Sequence, residues 1–158
     1  EPGRGSTFKV YLPAINELQS DVHRQSRVGP PPTGTETILL AEDEPALRAM
    51  SRRVLEQLGY RVLEAANSLS AVQLANEESD PIHLLVTDVV MPAMSGSELA
   101  DMLAESNPEL KVLYTSGYTD EAVVRHGILR AEMAYLQKPF TPTALAYKIR
   151  EVMDAQHR

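Results

Sequence analysis

The sequence predicts a doubly wound α/β domain, a parallel sheet with helices packed on both faces. Three observations carry this reading. Apolar runs of strand length alternate five times with segments whose apolar residues recur at helical spacing, all within about 120 residues. The connections are short, and right-handed crossovers can cover both faces of a sheet only if the strand order reverses once. One run, Leu84-Leu85-Val86-Thr87-Asp88, lacks the alternation of a half-exposed strand and ends abruptly in a carboxylate, with Pro92 closing the segment behind it.

In chain order, residues 1–13 open with Gly3 and Gly5 and run into an alternation of Phe8, Val10 and Leu12 against Thr7, Lys9 and Tyr11, a short strand stopped by Pro13. Residues 14–25 support a weak helical turn or two. The run Gly29-Pro30-Pro31-Pro32-Thr33-Gly34 is a stiff, extended linker and marks a domain boundary. The divisions expected are therefore 1–13, a linker over 14–35, and a domain over 36–158.

Within that domain strands are expected at 37–41, 61–64, 83–87, 111–115 and 134–136. The first helix is marked by Leu47, Met50, Val54 and Leu58, the second by Val72 and Ala75, and the third by Leu99, Met102 and Leu103. Val123, Val124 and Ile128 mark a fourth, and Leu145, Ile149 and Val152 a fifth. Pro45 and Pro142 suit a first helical position, Thr119 and Thr141 suit N-caps, and Ser95 with Glu98 has capping-box spacing. Gly59 is the expected stop of the first helix. The natural arrangement is the flavodoxin-like five-stranded sheet of order 2-1-3-4-5.

Open α/β sheets bind ligands beyond the carboxyl ends of their strands, at the point where the order reverses. The first strand ends in Glu42-Asp43-Glu44, the third in Asp88, the fourth in Thr115-Ser116-Gly117 and the fifth in Lys138-Pro139. The second ends in Ala65-Ala66 and offers no chemistry, which suits an edge strand. Each feature alone has an ordinary explanation: an acidic pair favoured by a helix dipole, a threonine in a turn, a solvated lysine. Together, at four of five strand tips, they describe one cleft. Glu42, Asp43 and Asp88 would repel one another unless a hard cation such as Mg²⁺ neutralised them. A carboxylate beside such an ion can attack phosphorus, and the charge of a phosphoryl group in flight is met by the metal, an ammonium and a hydroxyl. Lys138 and Thr115 are of those types.

The stretches ILLAEDEP, LLVTDVVMPAMSG, VLYTSGY and YLQKPF resemble, in order and over nearly all of residues 37–154, the receiver domain of two-component signalling, found in response regulators and hybrid sensor kinases. The resemblance implies that Asp88 is the phosphoacceptor, and that Glu42, Asp43, Asp88 and the main-chain carbonyl of Val90 hold Mg²⁺. It implies that Lys138 ties the phosphoryl oxygen to the site, and that Thr115 swings its hydroxyl onto the phosphate while Tyr135 turns inward as an aromatic switch. A cis peptide before Pro139 is expected on the same ground. GRGSTFKVYLP resembles the end of the ATP-binding catalytic domain of histidine kinases, so that residues 1–13 read as its C-terminal remnant and the whole as part of a hybrid sensor kinase.

Composition limits the alternatives. Lys+Arg 15 against Asp+Glu 22 gives −7, and residues 36–158 hold 11 basic and 19 acidic side chains, a poor surface for nucleic acid. With Cys 0 there is no disulfide framework or thiolate metal site. No apolar run is long enough to span a bilayer, so a cytoplasmic location without membrane contact is expected, whether or not a parent sensor kinase is membrane-anchored. The expected partners are a histidine kinase or histidine phosphotransfer domain, with homodimerisation through the face of the fourth helix, fifth strand and fifth helix. No turnover beyond self-phosphorylation and dephosphorylation is expected, in a parent that is a protein histidine kinase. Two rival functions are a Mg²⁺-dependent phosphatase working through an aspartyl phosphate, and an interaction module that needs no phosphate. Hydrolases of the first kind place a second carboxylate two residues after the nucleophile; here that residue is Val90.

Overall fold

The computed structural model describes residues 29–117 and 133–155. The chain divides into two compact units, Glu1–Pro30 and Pro31–Arg158, and all the elements below belong to the second. The expected strand at 7–12, the weak turns at 14–25 and the fourth helix with Thr119, Val123, Val124 and Ile128 lie outside the described residues.

Five parallel strands are observed: β1 (Thr37–Ala41), β2 (Arg61–Ala65), β3 (Leu84–Asp88), β4 (Lys111–Ser116) and β5 (Ala134–Gln137). They stand in the order β2-β1-β3-β4-β5, the flavodoxin-like arrangement expected, with one reversal between β1 and β3. The third strand sits one residue later than expected, so that Asp88 is its last paired residue, opposite Thr115. His83 still joins the sheet edge-on, donating its backbone N–H to Thr37 O at 2.9 Å and accepting from Thr37 N on its Nδ1 at 3.1 Å.

The described helices are α1 (Pro45–Gln57), α2 (Ser68–Glu77), α3 (Gly96–Ser106) and α4 (Pro142–Asp154), the last being the fifth of the sequence pattern. Side-chain alternation along the central strands splits the core into two layers. Leu39, Ala41 and Leu85 pack with Ala71, Leu99, Ala100 and Leu103 of α2 and α3, while Ile38, Leu40, Leu84 and Val86 pack with Leu55 of α1 and with Leu145, Ile149 and Val152 of α4. Three positions depart from the helical pattern. Met102 is 42% exposed, because α3 turns Leu99, Ala100 and Leu103 to the sheet. In α1 the buried residues are Ser51 and Leu55, continued by Leu58 at the C-cap, and Leu47 and Met50 are only half-buried.

The helix ends are held by local chemistry. Pro45 and Pro142 begin α1 and α4, Thr141 accepts from Ala144 N, and Ser95 with Glu98 forms a reciprocal capping box on α3. The box at α2 between Asn67 and Ser70 uses a hydroxyl where glutamate is usual. Gly59 follows α1 with φ +95°, a conformation open to glycine at little cost, and a Cβ there would stand 2.6 Å from Gly34 O.

Candidate functional site

β1 lies between β2 and β3, so a side chain at its carboxyl end is covered on both sides. Glu42, the next residue, is accordingly 3% exposed, although it is charged. Asp43, one step beyond the sheet, is exposed, and Asp88 at the end of β3 is intermediate. One carboxylate oxygen from each of the three lies within 4.8 Å of the others.

Lys138 reaches into this group from the turn after β5, where its backbone N–H donates to Ser116 O at 2.7 Å and the Lys138–Pro139 peptide is cis. Its Nζ donates to Glu42 Oε1 and Oε2 at 3.0 and 2.8 Å and to Asp88 Oδ2 at 2.7 Å. The other Asp88 oxygen, Oδ1, accepts from Val90 N at 3.2 Å. Burial pushes the Glu42 pKa up, and the Asp88 charge adds to this against the pull of Lys138. For Lys138, burial favours the neutral amine, but Asp88 and Glu42 outweigh it and hold the ammonium above the ordinary lysine value.

Thr115 is 3% exposed and donates through Oγ1 to Thr87 O at 3.4 Å, so its hydroxyl rests on the β3 backbone beside the Asp88 peptide. Tyr135 is half-buried against the α2/α3 layer of the core. Val90 stands 52% exposed at the cleft mouth. The loop from Asp88 to α3 folds back tightly: Gly96 N donates to Val89 O at 3.0 Å, and a Cβ on Gly96 would run into Asp88 O. Ala93 turns this loop with φ +72°, a left-handed conformation unfavourable for a residue with a side chain.

The structure thus brings Glu42, Asp43, Asp88 and Lys138 to one crevice at the reversal point of the sheet, with Thr115 opposite Asp88 on β4 but its hydroxyl turned to the Thr87 carbonyl. Three carboxylates against one ammonium leave an excess of two negative charges, and their oxygens are hard donors. Ligands about 2.1 Å from Mg²⁺ lie about 3–4 Å apart, so the cluster fits such an ion with small side-chain adjustments. Two side chains that the strand-tip argument passed over also belong here. Arg48 Nη1 donates to Glu42 O at 2.7 Å and its Nε to Glu64 Oε1 of β2 at 2.9 Å. The edge strand therefore does reach the site, one residue before the Ala65-Ala66 end; only the mixed exposure of Arg48 and Glu64 on facing elements could have signalled it.

A flavodoxin-like sheet whose reversal point holds an acid cluster bridged by lysine defines a class of doubly wound domains that handle a charged ligand at their strand tips. Within that class the chain belongs to the response regulator receiver domain family, which it matches over residues 38–150. It is 35% identical to the sensor kinase CckA of Brucella abortus (strain 2308), a match that takes in 99% of this chain and 17% of that protein. It is 36% identical to the response regulator receiver protein CpdR of the same organism over 75% of this chain and 97% of CpdR. Among solved structures, the receiver domain of the hybrid histidine kinase CckA superposes with a TM-score of 0.63 at 31% identity, over 75% of this chain and 99% of that one. The chain is a receiver domain of two-component signalling with additional sequence before it.

Proposed function

We propose that the domain accepts a phosphoryl group on Asp88 from a phosphohistidine and uses the new charge to alter a protein-binding face. An Asp88 carboxylate oxygen attacks phosphorus, the P–N bond to imidazole breaks, and the imidazole of the donor leaves with the electron pair. Lys138 is already within contact of Asp88 Oδ2 and neutralises charge that develops there. Glu42, Asp43, Asp88 and the main-chain carbonyl of Val90 would hold Mg²⁺, which when bound supplies further neutralisation of the phosphoryl oxygens. The observation that carries this reading is the single ammonium shared between Glu42 and Asp88 in a cleft that water can enter.

A phosphoryl group would offer the Thr115 hydroxyl a charged acceptor in place of the Thr87 carbonyl. The expected coupling of Thr115 to Tyr135 has no direct path: Thr115 lies opposite Leu136, whose side chain packs with the α1/α4 layer, while Tyr135 packs on the other face with the α2/α3 layer. The responding surface would be β5 with the exposed side of α4; the expected fourth helix of this face lies outside the described residues. Partners are a histidine kinase or histidine phosphotransfer domain, and a second copy meeting this same face. The match along 99% of the chain to a sensor kinase supports placing the domain in a hybrid histidine kinase, with residues 1–13 as the end of its ATP-binding domain. Val90, apolar and at the mouth, supplies no acid for an aspartyl-phosphate hydrolase.

The test is phosphotransfer from a small acyl phosphate, followed by intact mass, with and without Mg²⁺. The wild-type chain is expected to gain one phosphoryl group only when Mg²⁺ is present, and Asp88→Asn none. Labelling of Asp88→Asn, or none of the wild type, would overturn the proposal.

A further inference from the structure

The acid pair Glu42-Asp43 sits in the connection between β1 and α1, and a connection of three residues does not fix its own carbonyls. Here one side chain does so. Arg48, on the first turn of α1, directs Nη1 at Glu42 O (2.7 Å) and, more distantly, at Asp43 O (3.4 Å). Its Nε is spent on Glu64 Oε1 at 2.9 Å, so the guanidinium plane is locked against β2. The Arg48 side chain is 15% exposed and Glu64 29%, so this ion pair is shielded compared with Arg52, which is 49% exposed and shares the other Glu64 oxygen at 2.9 Å. Arg52 otherwise pairs with Glu56 along the helix. The Glu42 N–H donates to Ala65 O at 3.2 Å, so the peptides on both sides of the acid are tied to β2, one directly and one through Arg48 and Glu64.

We infer that the Arg48–Glu64 pair positions the acid pair for cation binding, fixing the carbonyls of Glu42 and Asp43 so that their carboxylates reach the cleft in a set relation to Asp88. The inference rests on the Mg²⁺ reading of the cluster. Arg48 is a positioning residue: it touches the backbone of the acid pair and not the ion or substrate. Its planar fork matters, because one group must serve two carbonyls on one edge and a carboxylate on another, which an ammonium on a flexible stem does not reproduce. Outer partners of metal ligands typically contribute about 10–100-fold in affinity.

The experiment measures Mn²⁺ binding to the unphosphorylated 158-residue chain by electron paramagnetic resonance, beside hydrogen exchange of the amides at 42–44. Arg48→Met is expected to weaken Mn²⁺ binding by about tenfold or more and to speed exchange at those amides. Glu64→Gln, which loosens the guanidinium without touching the loop, should do the same to a smaller extent. Arg48→Lys should stay close to Arg48→Met, while Arg52→Met should bind as wild type does. Wild-type affinity in Arg48→Met or in Glu64→Gln refutes the positioning role and leaves the cation site standing. Full rescue by lysine reduces Arg48 to its charge and refutes it equally. Absence of binding by the wild type overturns the cation reading and this inference together. Should Arg48→Met fail to fold, Glu64→Gln and Arg48→Lys decide between these outcomes.

Discussion

Replacing Lys138 by methionine keeps the apolar stem and removes one charge from the middle of the acid cluster. In the native arrangement Nζ lies 2.8 Å from Glu42 and 2.7 Å from Asp88, with Lys138 16% exposed and the two acids 4% and 15%. Removing one partner of a buried ion pair costs about 3–5 kcal/mol when the survivor stays charged and dry. Two features lower that figure here. Asp88 keeps contact with water and the Val90 amide, and Glu42 keeps the Glu44 amide, donated at 3.3 Å, and its raised pKa makes protonation accessible. A loss of about 2–3 kcal/mol remains, since a buried carboxylate without its main partner carries most of its desolvation penalty. For a domain of this size that is a fall of about 8–12 °C in Tm. Urea and thermal unfolding followed by circular dichroism, in chelator and then in Mg²⁺, read the effect. The cluster then carries three carboxylates and no ammonium, so Mg²⁺ should raise the Tm of the variant by more than that of the wild type. A variant as stable as wild type in chelator, or an equal Mg²⁺ response in both proteins, would refute the assignment of Lys138 as the internal counter-ion.

Gly96→Ala should lower stability by about 1–3 kcal/mol in urea unfolding, because the new methyl meets Asp88 O and stands 2.9 Å from Thr87 Oγ1, and α3 must shift to admit it. Ala93→Gly should raise the unfolding free energy from urea titration by roughly 0.5–1 kcal/mol, relief of the left-handed φ of +72° outweighing the extra freedom of glycine in the unfolded chain. Glu64→Gln should flatten the acid limb of the stability curve. Hydrogen bonds from Arg52 and then Arg48 hold the Glu64 pKa below its ordinary 4.5, so its contribution is present above that pH and is lost as pH falls through the lower folded value. Wild type should therefore lose more stability than the variant below pH 4.5. Val90→Glu, measured by the decay of phosphorylated protein, should change the phosphoryl lifetime more than Mg²⁺ affinity, since the side chain lies at the cleft mouth and its carbonyl is unaltered.

The sheet was legible because burial on both faces demands unbroken apolar runs: Ile38, Leu39 and Leu40 of β1 and Leu84, Leu85 and Val86 of β3 are all buried. The positions of Glu42, Asp88 and Lys138 followed from topology, since a parallel sheet sends every strand tip to one end. Features that depend on side chains meeting across elements did not show. Arg48 and Glu64 are sixteen residues apart on a helix and a strand, and no periodicity specifies which arginine on α1 turns inward. Met102 has the spacing of a core residue, yet the rotation of α3 leaves it 42% exposed. The α2 capping box lacks the usual sequence signature because Ser70 closes it in place of a longer acid or amide.

The exposure of the three acids follows from where each leaves the sheet, and it divides their work. Glu42 departs between two neighbouring strands, and Lys138 held against it is the main compensation for its buried charge. Asp43, beyond the edge, stays open to solvent and to an ion. Asp88 lies between these extremes, close enough to Lys138 to be paired and exposed enough to be reached by another molecule. One ammonium shared by a closed and an open carboxylate makes the two interdependent: a change of charge at Asp88 alters what Lys138 can offer Glu42. Phosphorylation would bring the charge at Asp88 to about −2 and draw Lys138 toward it, weakening the hold on a residue that is 3% exposed. Glu42 would then depend on the cation and on the Glu44 amide for compensation. A chemical event at the mouth of the cleft would thereby be felt inside the fold, at the base of α1.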